Sequence, residues 1–175
     1  MIPVRAKRGH TQGLVAIYQT FERVYPLAAG WPGGDWPVSG NFNPPRFEVV
    51  AGAILTQNVN WNNVEKALER MVQESLVDAE AILLCPGPRL EAAIRPSGFF
   101  RQKAQRLKIM AQFISDYPGD FYRHVQREQL LALKGIGPET ADSILLYACD
   151  QAHFVIDAYT RRIFERYGEW DRKAG

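Results

Sequence analysis

Leu130-Leu131-Ala132-Leu133-Lys134-Gly135-Ile136-Gly137-Pro138-Glu139-Thr140-Ala141-Asp142-Ser143-Ile144-Leu145 sets two helically spaced apolar runs on either side of a Gly-Ile-Gly step. The glycines permit a positive φ and let another backbone come close. Ile136 can plug the space between the two helices, and Pro138 suits the first turn of the second one. From Gly137 onward that helix presents unpaired N–H groups, and its dipole favours an anion there. The segment therefore reads as a phosphate site built from backbone and blind to base sequence. Gly-x-Gly alone equally describes a tight turn between two core helices. Leu133 before the step and Ile144-Leu145 after it favour the hairpin.

Outward from the hairpin, helical periodicity dominates and period-two alternation is scarce. Apolar spacing predicts helices over 12–27, 46–56, 62–75, 78–84, 88–94, 99–115, 125–133, 138–149 and 158–168. A loop rich in Gly, Pro and Trp runs from 29 to 45, with Pro45 at a helix start. Pro86-Gly87-Pro88, Pro96-Ser97-Gly98 and Pro118-Gly119 punctuate the rest. The fold class is all-α. The polar stretch 169–175 ends without a docking helix, which reads as a chain cut short.

At 175 residues and 46% hydrophobic content the chain can bury a core, as one domain or two small lobes. No apolar run of about 18 residues is present, so no membrane span is expected. Nor does an apolar segment follow the basic residues at the start, as a secretory signal would require. Cys85 and Cys149 are too few for a disulfide framework or a four-thiolate cluster, and they read as free thiols in a reducing cytosol. Net charge is only +2, but Arg95, Arg101, Lys103, Arg106 and Lys108 form a run without an acid. Such a run is either a solvated face or a stripe facing phosphates. Arg161, Arg162 and Arg166 form a second basic group.

The hairpin resembles that of the helix-hairpin-helix DNA glycosylases, the endonuclease III superfamily. Further motifs carry the same resemblance in the same order. Ala53-Ile54-Leu55-Thr56-Gln57-Asn58 is similar to a helix end whose Gln fills the gap left by a flipped base. Arg95-Pro96-Ser97-Gly98-Phe99-Phe100-Arg101-Gln102-Lys103-Ala104 is similar to a wedge loop. Phe154-Val155-Ile156-Asp157-Ala158-Tyr159-Thr160-Arg161-Arg162 resembles the segment bearing the essential Asp. The match spans roughly 43–168, and its wording is nearest to the bacterial 3-methyladenine glycosylase branch.

The resemblance implies two helical lobes with DNA across the cleft. Residues 42–150 would form the lobe carrying the hairpin. Residues 1–41, with an N-terminal helix, and 151–175 would form the other, leaving Asp157 at the junction. It also implies base excision: a damaged base is flipped out and its N-glycosidic bond cut. Cleavage builds positive charge on the sugar, and a fixed carboxylate stabilises it or activates water. Asp157 is the candidate, although the same residue ahead of a helix also suits an N-cap. Members that also cut the DNA backbone carry a nucleophilic Lys two residues after the second Gly, where this chain has Glu139. A carboxylate forms no Schiff base. The expectation is therefore a monofunctional enzyme using water, on an alkylated purine such as 3-methyladenine. Glu139 either assists that water or is a first-turn acid favoured by the dipole.

Trp31, Trp36 and Trp61 are the candidates for stacking the base, since an electron-poor purine suits an indole face. Phe99 is the candidate wedge and Gln57 the gap filler. Lys134, Gly135, Ile136, Gly137 and Thr140 would meet the DNA backbone, joined by Arg101 and Lys103, with Arg106 following. No metal ligand set is visible. The resemblance allows a monovalent cation at the carbonyls of Gly135 and Gly137. It also notes the iron-sulfur cluster of many relatives, for which no cysteine set exists here. The expected partner is damaged double-stranded DNA, with no membrane and no resident cofactor. The protein would act as a monomer, cytoplasmic and nucleoid-associated. Two alternatives stay open: an endonuclease III-like glycosylase and lyase acting on oxidised pyrimidines, and a non-catalytic DNA-binding hairpin protein.

Overall fold

The computed structural model describes residues 10–24 and 40–166, and these residues form helices and turns with no strand among them. Two compact units are present, one of Gly30–Val155 and one of Met1–Ala29 with Ile156–Gly175.

The first unit is organised around α2 (Arg46–Leu55), in which every residue from Phe47 to Leu55 is buried. Apart from Glu48 these residues are apolar on every face, which suits a helix inside a core. It packs against α3 (Trp61–Gln73), α6 (Phe100–Ser115) and the second helix of the hairpin. Helix α3 shows why: Val64, Ala67, Leu68 and Met71 recur on one face and are buried, and the Asn60 side chain caps its start by accepting from Asn63 N. Helices α4 (Ala79–Leu84) and α5 (Gly87–Ala93) follow, α4 capped by Asp78. A 3₁₀ turn at Arg95–Ser97 then leads into α6.

One short helix escapes the periodicity. α7 (Phe121–His124) is held by an edge-on cluster of Phe113, Tyr117, Phe121 and Tyr122 rather than by an apolar stripe of its own. The hairpin consists of α8 (Arg127–Leu131) and α9 (Pro138–Ser143). α9 does not run on as regular helix. It widens into a π-helical turn over Ile144–Ala148, in which Ile144, Leu145 and Ala148 are buried.

Two polar ties brace the hairpin. Arg127 makes a bidentate pair with the largely buried Asp142, at 2.6 Å and 3.0 Å, across α8 and α9. Arg46, at the start of α2, donates to Ala148 O at 3.1 Å and pairs with Asp150.

In the other unit the described elements are α1 (His10–Val24) and α10 (Ala158–Arg166). None of the described helices is long and apolar enough to cross a membrane.

Removing Arg127 strands the Asp142 carboxylate between the hairpin helices, with only a distant His153 ring 3.7 Å away. Because the arginine side chain is 34% exposed, the cost is discounted from that of a fully buried pair. Arg127→Met is expected to lower stability by about 1–3 kcal/mol in urea unfolding, and a loss below about 0.5 kcal/mol would contradict the brace.

Candidate functional site

The hairpin loop is shaped by one close approach. Gly135 adopts φ +88°, a left-handed backbone that favours glycine. The Arg106 side chain lies flat over its Cα. A Cβ at 135 would sit 2.8 Å from Arg106 Cγ and 2.9 Å from Cδ, and closer still to Nε. Ile136, 5% exposed, plugs the core as expected, and its N–H is spent on Leu133 O at 3.1 Å. Ile136 thus shapes the loop from inside and offers its N–H to no phosphate. Lys134, Gly135, Gly137, Pro138 and Glu139 are exposed. Gly137 caps α9 without a side chain, so the first turn of that helix opens outward.

The Gln57 amide is tied into this loop. Its Nε2 donates to Thr140 Oγ1 at 2.9 Å and to Gly135 O at 3.2 Å, while its Oε1 accepts from Arg106. Thr140 is buried, so its hydroxyl serves Gln57 rather than a phosphate.

Lys103 corrects the expectation of a phosphate-facing stripe. Its side chain is fully buried, and Nζ donates to Leu55 O at 2.7 Å and Ser97 O at 2.5 Å. Lys108 likewise turns its ammonium onto Leu83 O and Cys85 O at the end of α4. Helix C-termini leave carbonyls without partners and carry a partial negative charge, so they draw cations inward. Of the run read as a stripe, two lysines satisfy helix ends and Arg106 covers Gly135. Arg95 and Arg101 remain at the surface. Burial, reinforced by the Arg106 charge, pushes the Lys103 ammonium down to about 8.

Beside Lys103 stands Phe99, 64% exposed, with φ 44° and ψ 31°. An exposed aromatic in left-handed backbone is an uncommon conformation that the surroundings must enforce. Gly98 ahead of it has φ +63°.

Trp61 opens α3, packs against the core, and donates its indole N–H to Glu65 at 2.8 Å. Trp31 and Trp36 lie outside the described residues. Asp157, in the other unit, is a true N-cap: Oδ1 accepts from Thr160 N at 2.7 Å. The hairpin carbonyls allowed for a cation are each already used once, Gly135 O by Gln57 and Gly137 O by Ala141 N. Among the described residues no group of three or more His, Cys, Asp or Glu could hold a metal ion. Cys85 and Cys149 are buried free thiols, and burial raises the Cys149 thiol to about 12. They do not fit a four-thiolate iron-sulfur site.

With the hairpin and its supports in place, the model of the HhH-GPD superfamily of base excision DNA repair proteins matches residues 51–175. The chain belongs to that family. As a member it is a DNA glycosylase, an enzyme acting on the N-glycosyl bond. It is 40% identical over 167 residues to a protein of Methanocaldococcus jannaschii assigned as a DNA repair glycosylase, covering 90% of this chain and 74% of that one. It is 33% identical over 142 residues to the chloroplastic endonuclease III homolog 2 of Arabidopsis thaliana, covering 78% of this chain and 36% of the plant protein. The structure is similar to that of the 3-methyladenine DNA glycosylase of H. pylori bound to 1,N6-ethenoadenine. The TM-score is 0.78 at 31% identity, over 90% of this chain and 74% of that one.

Arg106 was not singled out as a structural residue from the sequence, where it reads as one of four basic residues in α6. Its contact makes Gly135 doubly intolerant of a side chain. Gly135→Ala is expected to cost about 2 kcal/mol or more, from the positive φ and the Arg106 clash together. Gly137→Ala, with φ −93° and no neighbour within 4 Å, should cost under about 1 kcal/mol. Equal losses in thermal unfolding would sink the argument.

The buried lysine sets a pH dependence. Its folded value lies below its ordinary 10.5, so between the two the unfolded chain binds more protons. The penalty of holding the charge inside is complete below about 8 and is relieved as pH rises toward 10.5. Wild-type stability relative to Lys103→Met should accordingly increase across that window, and a flat difference would show that the ammonium is not shifted.

Proposed function

We propose that this chain is a monofunctional glycosylase that removes an alkylated purine, such as 3-methyladenine, from double-stranded DNA. The observation that carries the reading is Glu139. It is exposed in the first turn of α9, at the place where the resemblance puts the amine of backbone-cutting members. A carboxylate there cannot form a Schiff base, so water is the nucleophile and no resident cofactor is required. The likeness to the H. pylori 3-methyladenine enzyme supports the substrate class.

In this reading Lys134 and the outward first turn of α9 hold the DNA backbone, with Arg101 beside the wedge. Phe99 enters the stack, and Gln57 exchanges its hairpin partners for the unpaired base opposite. Trp61, with Trp36 and Trp31, supplies indole faces for an electron-poor base. The indole N–H bond to Glu65 fixes the orientation of the Trp61 ring. Asp157 stabilises the cation that forms on the sugar as the base leaves. Its Oδ1 is held by Thr160 N, which restrains the carboxylate, and Oδ2 is assigned to the sugar or the attacking water. An alkylated purine cation is already a good leaving group, so no strong general acid is needed.

The test is release of methylated purine from alkylated duplex DNA. Asp157→Asn should lose about a hundredfold or more in single-turnover rate, the size seen when one electrostatic stabiliser is removed, while still binding DNA. Borohydride should trap no covalent protein–DNA adduct. Undiminished release by Asp157→Asn, or a trapped adduct, would refute the mechanism.

A further inference from the structure

Three features of Lys103 do not follow from its being a core residue. Its ammonium is fully buried, and among the described residues it takes part in no ion pair. A buried charge without a counter-ion is expensive, and an apolar side chain of similar volume is often neutral or stabilising in its place. The acceptors it has instead are two backbone carbonyls from separate elements. One belongs to Leu55, the last residue of α2, two positions before Gln57. The other belongs to Ser97, the last residue of the 3₁₀ turn, two positions before Phe99. The Lys103 N–H also donates to Phe99 O at 3.1 Å. Side chain and main chain of one residue therefore grip the roots of both side chains proposed to enter the duplex.

A wedge needs such a grip. Opening a base step costs on the order of a few kcal/mol, and that load falls on the chain carrying the intruding side chain. Gly98 precedes Phe99; no atom beyond its chain neighbours lies within 4 Å of where its Cβ would be, and its backbone is held only by neutral bonds, its N–H donating to Arg95 O at 3.2 Å and its carbonyl accepting from Ser97 Oγ at 3.4 Å. A carbonyl held by a charged donor makes a shorter and stronger bond than a neutral pair provides. The same ammonium on Leu55 O prevents the end of α2 from shifting independently.

We propose that Lys103 is the positioning residue that keeps Phe99 and Gln57 at a fixed separation, so that wedge and gap filler enter the duplex as one unit. The inference rests on the glycosylase reading above. Its test compares two substrates carrying the same alkylated purine that the wild-type enzyme releases. In one the lesion is paired in a duplex; in the other it lies in an unpaired bubble, where no step has to be opened. Single-turnover release is measured on both with wild type, Lys103→Met, Lys103→Gln, Phe99→Ala and the double variant of Phe99→Ala with Lys103→Met, each confirmed as folded by circular dichroism.

Lys103→Met should lower the duplex-to-bubble rate ratio roughly tenfold, the scale of a lost coupled contact. Lys103→Gln, which keeps a neutral donor, should fall between it and wild type. The double variant should be no worse than the worse single one, because both act on the same step. A ratio held within about twofold of wild type in folded Lys103→Met, a Lys103→Gln ratio below that of Lys103→Met, or multiplying losses in the double variant, overturns the inference and leaves the glycosylase reading standing. Absence of release by wild type from both substrates overturns that reading and this inference with it.

Discussion

The hairpin depends on the contact between the Arg106 side chain and the bare Cα of Gly135. That contact is possible only because residue 135 has no Cβ and takes a positive φ, and it puts the guanidinium where Gln57 can meet it. Gln57 then joins α2, α6 and the loop between α8 and α9 through one amide. The loop that would meet a DNA backbone is thus held from beneath by α6, leaving Lys134, Gly137 and Glu139 at the surface.

Helix α6 supplies these supports through cations. Lys103 and Lys108 close the carbonyl ends of α2 and α4, and Arg106 covers the hairpin glycine. The two lysine interactions have the same origin, since the last carbonyls of a helix have no partner inside it and carry a partial negative charge. Exposed Phe99 at the start of α6 has its backbone held by the same helix. The proposed chemistry needs little beyond such rigidity: a carboxylate that is already held as an N-cap, a wedge that does not yield, and a loop blind to sequence.

Much of the architecture was legible from residues alone. Gly135 ahead of Ile136 marks the hairpin because few other residues permit its positive φ. Val64, Ala67, Leu68 and Met71 mark α3 because their spacing matches a helix face. The ends were less legible: α9 gives way to a π-helical turn at Ile144, and α7 is held by aromatic edges rather than by periodicity. In the site, the plug at Ile136 was expected, and the cap was one of the two readings given to Asp157. Within the basic run Arg95 and Arg101 are at the surface, but Lys103 and Lys108 turn inward, because charge along a chain does not say which way a side chain turns.

The sequence by itself determined the helical class, the hairpin and the presence of an acid ahead of a helix, since glycine conformation, apolar spacing and capping are local properties. Tertiary structure alone decided which cations face solvent. Whether Lys103 meets a phosphate or a carbonyl depends on where α2 and the 95–97 turn end in space. Those ends lie 48 and 6 residues away along the chain. No local rule joins an ammonium to a carbonyl so distant; only the packing of α6 against α2 brings them within hydrogen-bonding distance.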